Sequence, residues 1–119
     1  MNKFQKTVLG RKGEEMAVAY LMDRGYRILK RNYYTRYGEL DIICMHKNIL
    51  VFVEVRTKTN LNYGLPEESI TKSKIKHLRK AALVYLGNGR ISYEEIRFDV
   101  IAILITGDNT RISHIPNAF

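Results

Sequence analysis

Five ionisable residues, Glu39, Asp41, Glu54, Arg56 and Lys58, stand on alternate positions of two otherwise apolar runs, "GELDIICMH" and "ILVFVEVRTK". Residues two apart on a strand share a face, so this spacing gathers charge on one side of a strand pair. With Lys47 and Asn48 as the two turn residues, Asp41 faces Glu54 and Glu39 faces Arg56, all four on one face, with Ile43 and Phe52 nearer the turn. Two carboxylates roughly 4 Å apart repel by about 1 kcal/mol in water and by about 4 kcal/mol at an effective dielectric near 20. A divalent cation would turn that repulsion into coordination, since Mg²⁺ takes oxygen ligands and typically one or two carboxylates. Salt bridges from Arg56 or Lys58 would also relieve it, and so would a slipped register. The spacing alone leaves these open.

Glu14 supplies a third acid. On a helix it shares a stripe with Ala17, Val18 and Leu21. A carboxylate on an inward stripe is costly to bury unpaired. It either sits at the stripe's edge, joins a strand arginine, or aims at the same site as Asp41 and Glu54. Glu15 points elsewhere, toward solvent.

The elements that must position these groups follow from periodicity and breakers. A helix is expected from Thr7 to about Arg24, stopped by Gly25, with Gly10 and Gly13 weakening its first turns. Tyr26 to Tyr34 reads as a strand and Gly38 breaks it. Strands follow over Glu39–His46 and Ile49–Lys58, joined at Lys47-Asn48. A loop covers 59–69, and a second helix runs from near Thr71 to Leu86 with Ile75, Leu78, Ala82 and Tyr85 as its apolar stripe. Ile96–Thr106 and Thr110–Ile115 are the last strands, around a turn at Gly107-Asp108-Asn109. The order is α-β-β-β-α-β-β. Strands apolar on both faces predict a mixed-sheet α/β sandwich with helices on both sides.

The 119 residues suit one domain, spanning 1–119, with 45% hydrophobic and 27% charged residues. No run approaches the roughly 18 apolar residues of a membrane span, and residues 1–6 lack a secretory h-region. The lone Cys44 fits a reducing cytoplasm and reads as a core thiol. Twenty Lys and Arg against twelve acids give a net charge of +8 and a pI near 9.7. So basic a balance points to a polyanion, usually nucleic acid.

Positive surface is expected around the acids. The second helix carries Lys72, Lys76, Arg79 and Lys80 on one face, and Lys74, beside Ile75 and Leu78, leans toward the site. Arg36 falls within "RNYYTRY", a mixture of cations and aromatics suited to backbone contact or base stacking, or to half-buried packing. His46, His77 and His114 lack the spacing for a zinc site with Cys44. Arg97 and Asp99 share a strand face and read as a structural ion pair.

"GRKGEEMAVAYLMDRGYRILKRNYYTRYGELDII", "VFVEVRTK", "YGLPEESITKSKIKHLRKAALVYL" and "RFDVIAI" together resemble the YraN-like family of uncharacterised bacterial proteins, from Gly10 to about Ile103. That family is held to be similar in fold to restriction endonucleases and Holliday junction resolvases, the (P)D…(D/E)-x-K nucleases. The resemblance implies a restriction-endonuclease-like sandwich. In it Asp41 and Glu54 would be metal ligands, Glu14 the resolvase helix acid, and Arg56 would stand at the lysine position. Leu40 replaces the proline. The implied activity is Mg²⁺-dependent hydrolysis of phosphodiester bonds in DNA, branched DNA included, with Mn²⁺ as a substitute. A resolvase acts on two strands, which a homodimer would serve. Arginine stays protonated, so Arg56 would stabilise charge without acting as a base, and Lys58, roughly 7 Å along the same face, would orient the nucleophile. Two alternatives stand beside this: a nucleic-acid-binding protein on the same fold without turnover, and an interaction protein whose charges form a salt-bridge patch.

Overall fold

The computed structural model describes residues 2–62 and 64–119; Met1, and Tyr63 in the expected 59–69 loop, lie outside the described residues. The elements run α1 (Lys3–Asp23), β1 (Arg27–Thr35), β2 (Gly38–His46), β3 (Ile49–Lys58), a 3₁₀ turn (Pro66–Ser69), α2 (Lys72–Asn88), β4 (Glu95–Thr106) and β5 (Asn109–Ile115). This is the α-β-β-β-α-β-β order expected from periodicity. α1 starts earlier than its glycines suggested. Asn2 and Gln5 form a capping box, each side chain meeting the other's backbone N–H at 2.8 and 2.9 Å, and this offsets the weak glycine-containing turns that follow. Gly25 (φ +85°) carries the chain out of the helix.

One sheet holds the five described strands, in the spatial order β1-β2-β3-β4-β5. β1, β2 and β3 form an antiparallel meander, and β4 and β5 an antiparallel hairpin. β3 and β4 are parallel, which requires a crossover, and α2 provides it. The sheet is therefore mixed and has a helix on each face.

α1 covers one face through Gly13, Ala17 and Leu21, spaced four apart, packing Ala17 and Leu21 over Ile42, Cys44, Val51, Val53, Ile101 and Ile103. α2 covers the other through Leu78, Ala81 and Ala82, over Leu40, Ile43, Met45, Leu50 and Phe52. A fully buried Leu or Ile contributes roughly 1.5–3 kcal/mol each, so two such layers hold the sheet between them. Cys44 is fully buried, and that burial, assisted by the Asp99 charge, pushes its thiol up to about 12.

The hairpin pairs as expected near its turn, from His46↔Ile49 to Ile42↔Val53, with Lys47 in the left-handed region at φ 56°. There the ladder ends. β3 continues paired to β4 as far as Lys58↔Leu104, so its other edge is released beyond Val53. In β2, Leu40 and Ile43 pack on the same α2-side cluster although they are three residues apart, while Ile42 packs on the α1 side. The alternation of sides thus slips by one residue around Asp41. On β1 the facing residue, Asn32, has φ 50°, a matching irregularity.

Candidate functional site

The slip corrects the expected arrangement of the charged residues. Asp41 is not paired squarely with Glu54, nor Glu39 with Arg56, on one face. Glu54 follows the α2 side: it borders Leu40, Phe52, Leu78 and Phe98, and Lys74 of α2 reaches its Oε2 at 3.7 Å. Glu39 and Asp41 instead gather with Glu14 of α1, each offering a carboxylate oxygen within 4.8 Å of the others. The physical cause is the released edge of β3. The Val55 N–H lacks a β2 carbonyl and donates to Asp41 Oδ2 at 2.9 Å, drawing that carboxyl into the gap between the strands.

From this gap Asp41 still meets Glu54. Burial pushes the Asp41 carboxyl up to about 9, with the charge of Glu54 and a hydrogen bond to it adding to the rise, the Val55 N–H opposing, and Glu14 contributing further. Glu54 is itself buried, and its two oxygens differ. Oε2 pairs with Arg56 Nη2 at 3.1 Å and with Lys74, whereas among the described residues no N–H donates to Oε1. A buried carboxylate against a second carboxyl whose proton is held by burial and by its acidic neighbours marks a place short of positive charge.

Two residues that sequence reasoning did not single out set this geometry. Asn32 Nδ2 donates to Glu14 Oε1 at 2.8 Å and to Glu39 Oε1 at 2.7 Å, tying helix acid to strand acid. Asparagine tolerates the left-handed backbone found at position 32, and an Asn inside a strand run was the signal available. Gly13 lets α1 approach β3: a Cβ there would stand 1.9 Å from Thr57 Oγ1. Glu14 is the next residue, so this contact fixes how near its carboxylate comes to the strands. Glu15 is exposed, as expected, and pairs there with Arg31.

Beside the acids lies a cleft of ≈ 580 Å³ lined by Lys6, Leu9, Gly10, Glu14, Val55, Arg56, Thr57, Lys58, Thr59, Asn60 and Ser69. The strand cations Arg56 and Lys58 thus share one hollow with Lys6, about two turns before Glu14 on α1. The α2 cations Lys72, Lys76, Arg79 and Lys80 are exposed and, with Ile75 and Leu83, line a shallow groove. Lys80 continues it to Arg36 and Tyr37 at the β1–β2 turn, its Nζ lying 5.5 Å from the Tyr37 ring. His77 is exposed on the same helix.

Arg97, Asp99 and His114 form a separate network on β4 and β5. Arg97 Nε and Nη2 donate to Asp99 Oδ1 and Oδ2 at 2.8 Å, His114 Nε2 meets Oδ2 at 2.7 Å, and the Asn117 N–H reaches Oδ1 at 3.0 Å. Arg97 and Asp99 are thus a largely buried ion pair, and His114 is a member rather than an isolated residue. Burial works to raise Asp99, but the bonds from His114, Arg97 and Asn117 outweigh it and hold the carboxyl below its ordinary range. His46 stacks on Tyr26, ring centroids 4.2 Å apart.

Fold and site together define an α/β protein with an acidic cluster where two strands part, next to a cleft rimmed with cations. The Uncharacterised protein family UPF0102 matches residues 13–103, and the chain belongs to that family. It is 49% identical over 111 residues to a UPF0102 protein of Syntrophomonas wolfei, covering 93% of this chain and 96% of the relative. A UPF0102 protein of Syntrophotalea carbinolica is 42% identical across 98% of this chain and 94% of its own length, and one from Caldanaerobacter subterraneus is 38% identical across the whole of both. Among the described residues no helix is long and apolar enough to cross a membrane.

Proposed function

We propose that this protein is a divalent-metal-dependent nuclease that hydrolyses phosphodiester bonds of nucleic acid, DNA in the first place. The observation that carries the reading is the gathering of carboxylates where the strands part: Asp41 meets the buried Glu54, and Glu14, Glu39 and Asp41 each offer an oxygen within 4.8 Å of the others. The residues fit Mg²⁺, with Mn²⁺ as a substitute. Hard cations take oxygen ligands, and Asp41 and Glu54, with Glu14 and Glu39 alongside Asp41, offer only oxygens. Such a cation supplies Lewis acidity, acidifying water and offsetting charge on phosphate oxygens.

The chain's own residues account for the rest. Arg56 can fork onto a non-bridging phosphate oxygen while its Nη2 steadies Glu54. Lys58 and Lys6, across the same cleft, add positive charge where a phosphate would enter. Asn32 holds Glu14 and Glu39 in place before any cation arrives. The groove along Lys72, Lys76, Arg79 and Lys80, extended by Arg36, serves backbone contact, its gain coming from counterion release.

One observation favours a second reading, a binding protein without turnover. Arg56 occupies the position where the nuclease pattern has a lysine, and a guanidinium cannot take a proton from water. End-labelled branched, duplex and single-stranded DNA incubated with Mg²⁺ separates the two. Cleavage that ceases with EDTA and in Asp41→Asn and Glu54→Gln variants still able to bind DNA supports the nuclease. Salt-sensitive binding with every strand left intact supports the second reading.

A further inference from the structure

The tyrosines of "RNYYTRY" meet three different fates. Tyr33 packs edge-on against Tyr85, centroids 5.2 Å apart, and its hydroxyl accepts from Asn88 Nδ2. Tyr37 lies under the Arg36 guanidinium, 4.8 Å from its ring centroid. Tyr34 is 74% exposed, a full aromatic ring left in water on an edge strand. Its cross-strand partner is Glu39, and such partners share a face with Cβ atoms about 4.5–5.5 Å apart. Glu39 belongs to the acidic cluster, so the ring of Tyr34 borders that cluster on the β1 side, while the cleft with Lys6 and Arg56 borders it at α1 and β3.

Two occupants could cover an exposed ring on an edge strand. A strand from another protein chain would need a regular ladder to pair with. β1 offers none, because its register shifts between Ile28 and Lys30 and Asn32 stands at φ 50°. A nucleobase needs only the ring. Duplex bases are stacked inside their helix and cannot reach a side chain without being extruded, whereas unpaired bases stack on tyrosine freely.

We propose that Tyr34 is a stacking platform for an unpaired base beside the acidic cluster, so that this site takes single-stranded nucleic acid, or a single-stranded segment next to a duplex. The inference rests on the nucleic-acid reading above and names the form of its ligand. The flanking cations contribute phosphate contacts that single and double strands share; Tyr34 contributes a contact that only an unpaired base can make.

The sequence has no tryptophan, so Tyr34→Trp places one reporter at the site. Binding of a DNA oligonucleotide and of a blunt duplex of the same length is measured with Ca²⁺ replacing Mg²⁺, to keep strands intact. The single strand quenches the Tyr34→Trp emission and the duplex does not. Tyr34→Ala weakens single-strand binding roughly 5- to 150-fold, the range of one stacked base, and leaves duplex binding unchanged. Tyr34→Phe stays near wild type, and unaltered melting of all three variants shows that the fold is kept. Equal single-strand affinity for wild type and Tyr34→Ala, or equal quenching by the duplex, overturns the stacking role while salt-sensitive binding keeps the wider reading. Failure of the wild type to bind either form overturns both.

Discussion

At the scale of single residues, the chemistry turns on how Asp41 is held. Its carboxyl keeps a proton up to about pH 9 in the folded chain, whereas an unfolded chain releases it near 4. Between those values the folded state binds the extra proton, so stability falls as pH rises across the window. Asp41→Asn is therefore expected to raise the melting temperature of the metal-free protein increasingly from pH 4 to pH 9. The same proton competes with a cation. Mn²⁺ is expected to raise the wild-type melting temperature more at pH 8 than at pH 5 and to leave Asp41→Asn unmoved; differential scanning fluorimetry reads both. Gly13 is the other residue-scale control. A Cβ placed 1.9 Å from Thr57 Oγ1 forces α1 away from β3. Overpacking of this kind costs about 1–3 kcal/mol, so Gly13→Ala is expected to lower the urea midpoint and to weaken Mn²⁺ binding by displacing Glu14.

At the scale of elements, α2 divides its work between two sides. Leu78, Ala81 and Ala82 pack on the sheet, and Lys74 crosses to Glu54, while Lys72, Lys76, Arg79 and Lys80 stay in solvent. Replacing those four exposed cations by glutamine should leave folding intact and weaken DNA binding. The slope of log K against log salt should shrink by about 0.7–0.9 for each phosphate that is no longer neutralised, as titrations at several salt concentrations would show. Lys74 behaves differently. Lys74→Gln removes a cation from a buried acid, and its effect should appear in metal affinity as well as in DNA binding. For α1 the cap is what its early start depends on: Asn2→Ala is expected to cost about 1 kcal/mol and to fray the turns that carry Lys6 toward the cleft.

At the scale of the whole molecule, the Arg97–Asp99–His114 network joins β4, β5 and the segment after β5. The Ala118 N–H donates to the Phe98 carbonyl at 2.7 Å, and Phe119 stacks on Phe98 with centroids 5.6 Å apart. Removing the central, fully buried carboxylate leaves Arg97 and His114 without their shared partner. Asp99→Ala is thus expected to destabilise by about 3–5 kcal/mol, measured by urea unfolding, without touching the acidic cluster directly. Because the folded state depresses Asp99, its contribution is present above the ordinary carboxylate range and fades as pH falls through its lowered value. The protein therefore has acid-sensitive packing around Asp99 and alkali-sensitive charge around Asp41.

The element order, the Lys47-Asn48 turn and the pairing nearest that turn were all legible in the sequence. Each follows from local rules: period two in strands, period three to four in helices, and a left-handed residue at a tight turn. Sequence also named the acids, Glu14 included, because a carboxylate on an apolar stripe is a local anomaly. Only the tertiary structure decided which of them meet. A one-residue slip moves a side chain to the other face, and the slip around Asp41 depends on Asn32 of a different strand and on where the β2–β3 ladder gives out. The approach of α1, limited by Gly13 against Thr57, and the exposure of Tyr34 beside half-buried Tyr33 likewise depend on distant segments meeting. Periodicity is blind to such meetings: it fixes which way a side chain leaves its own element, not what stands there to receive it.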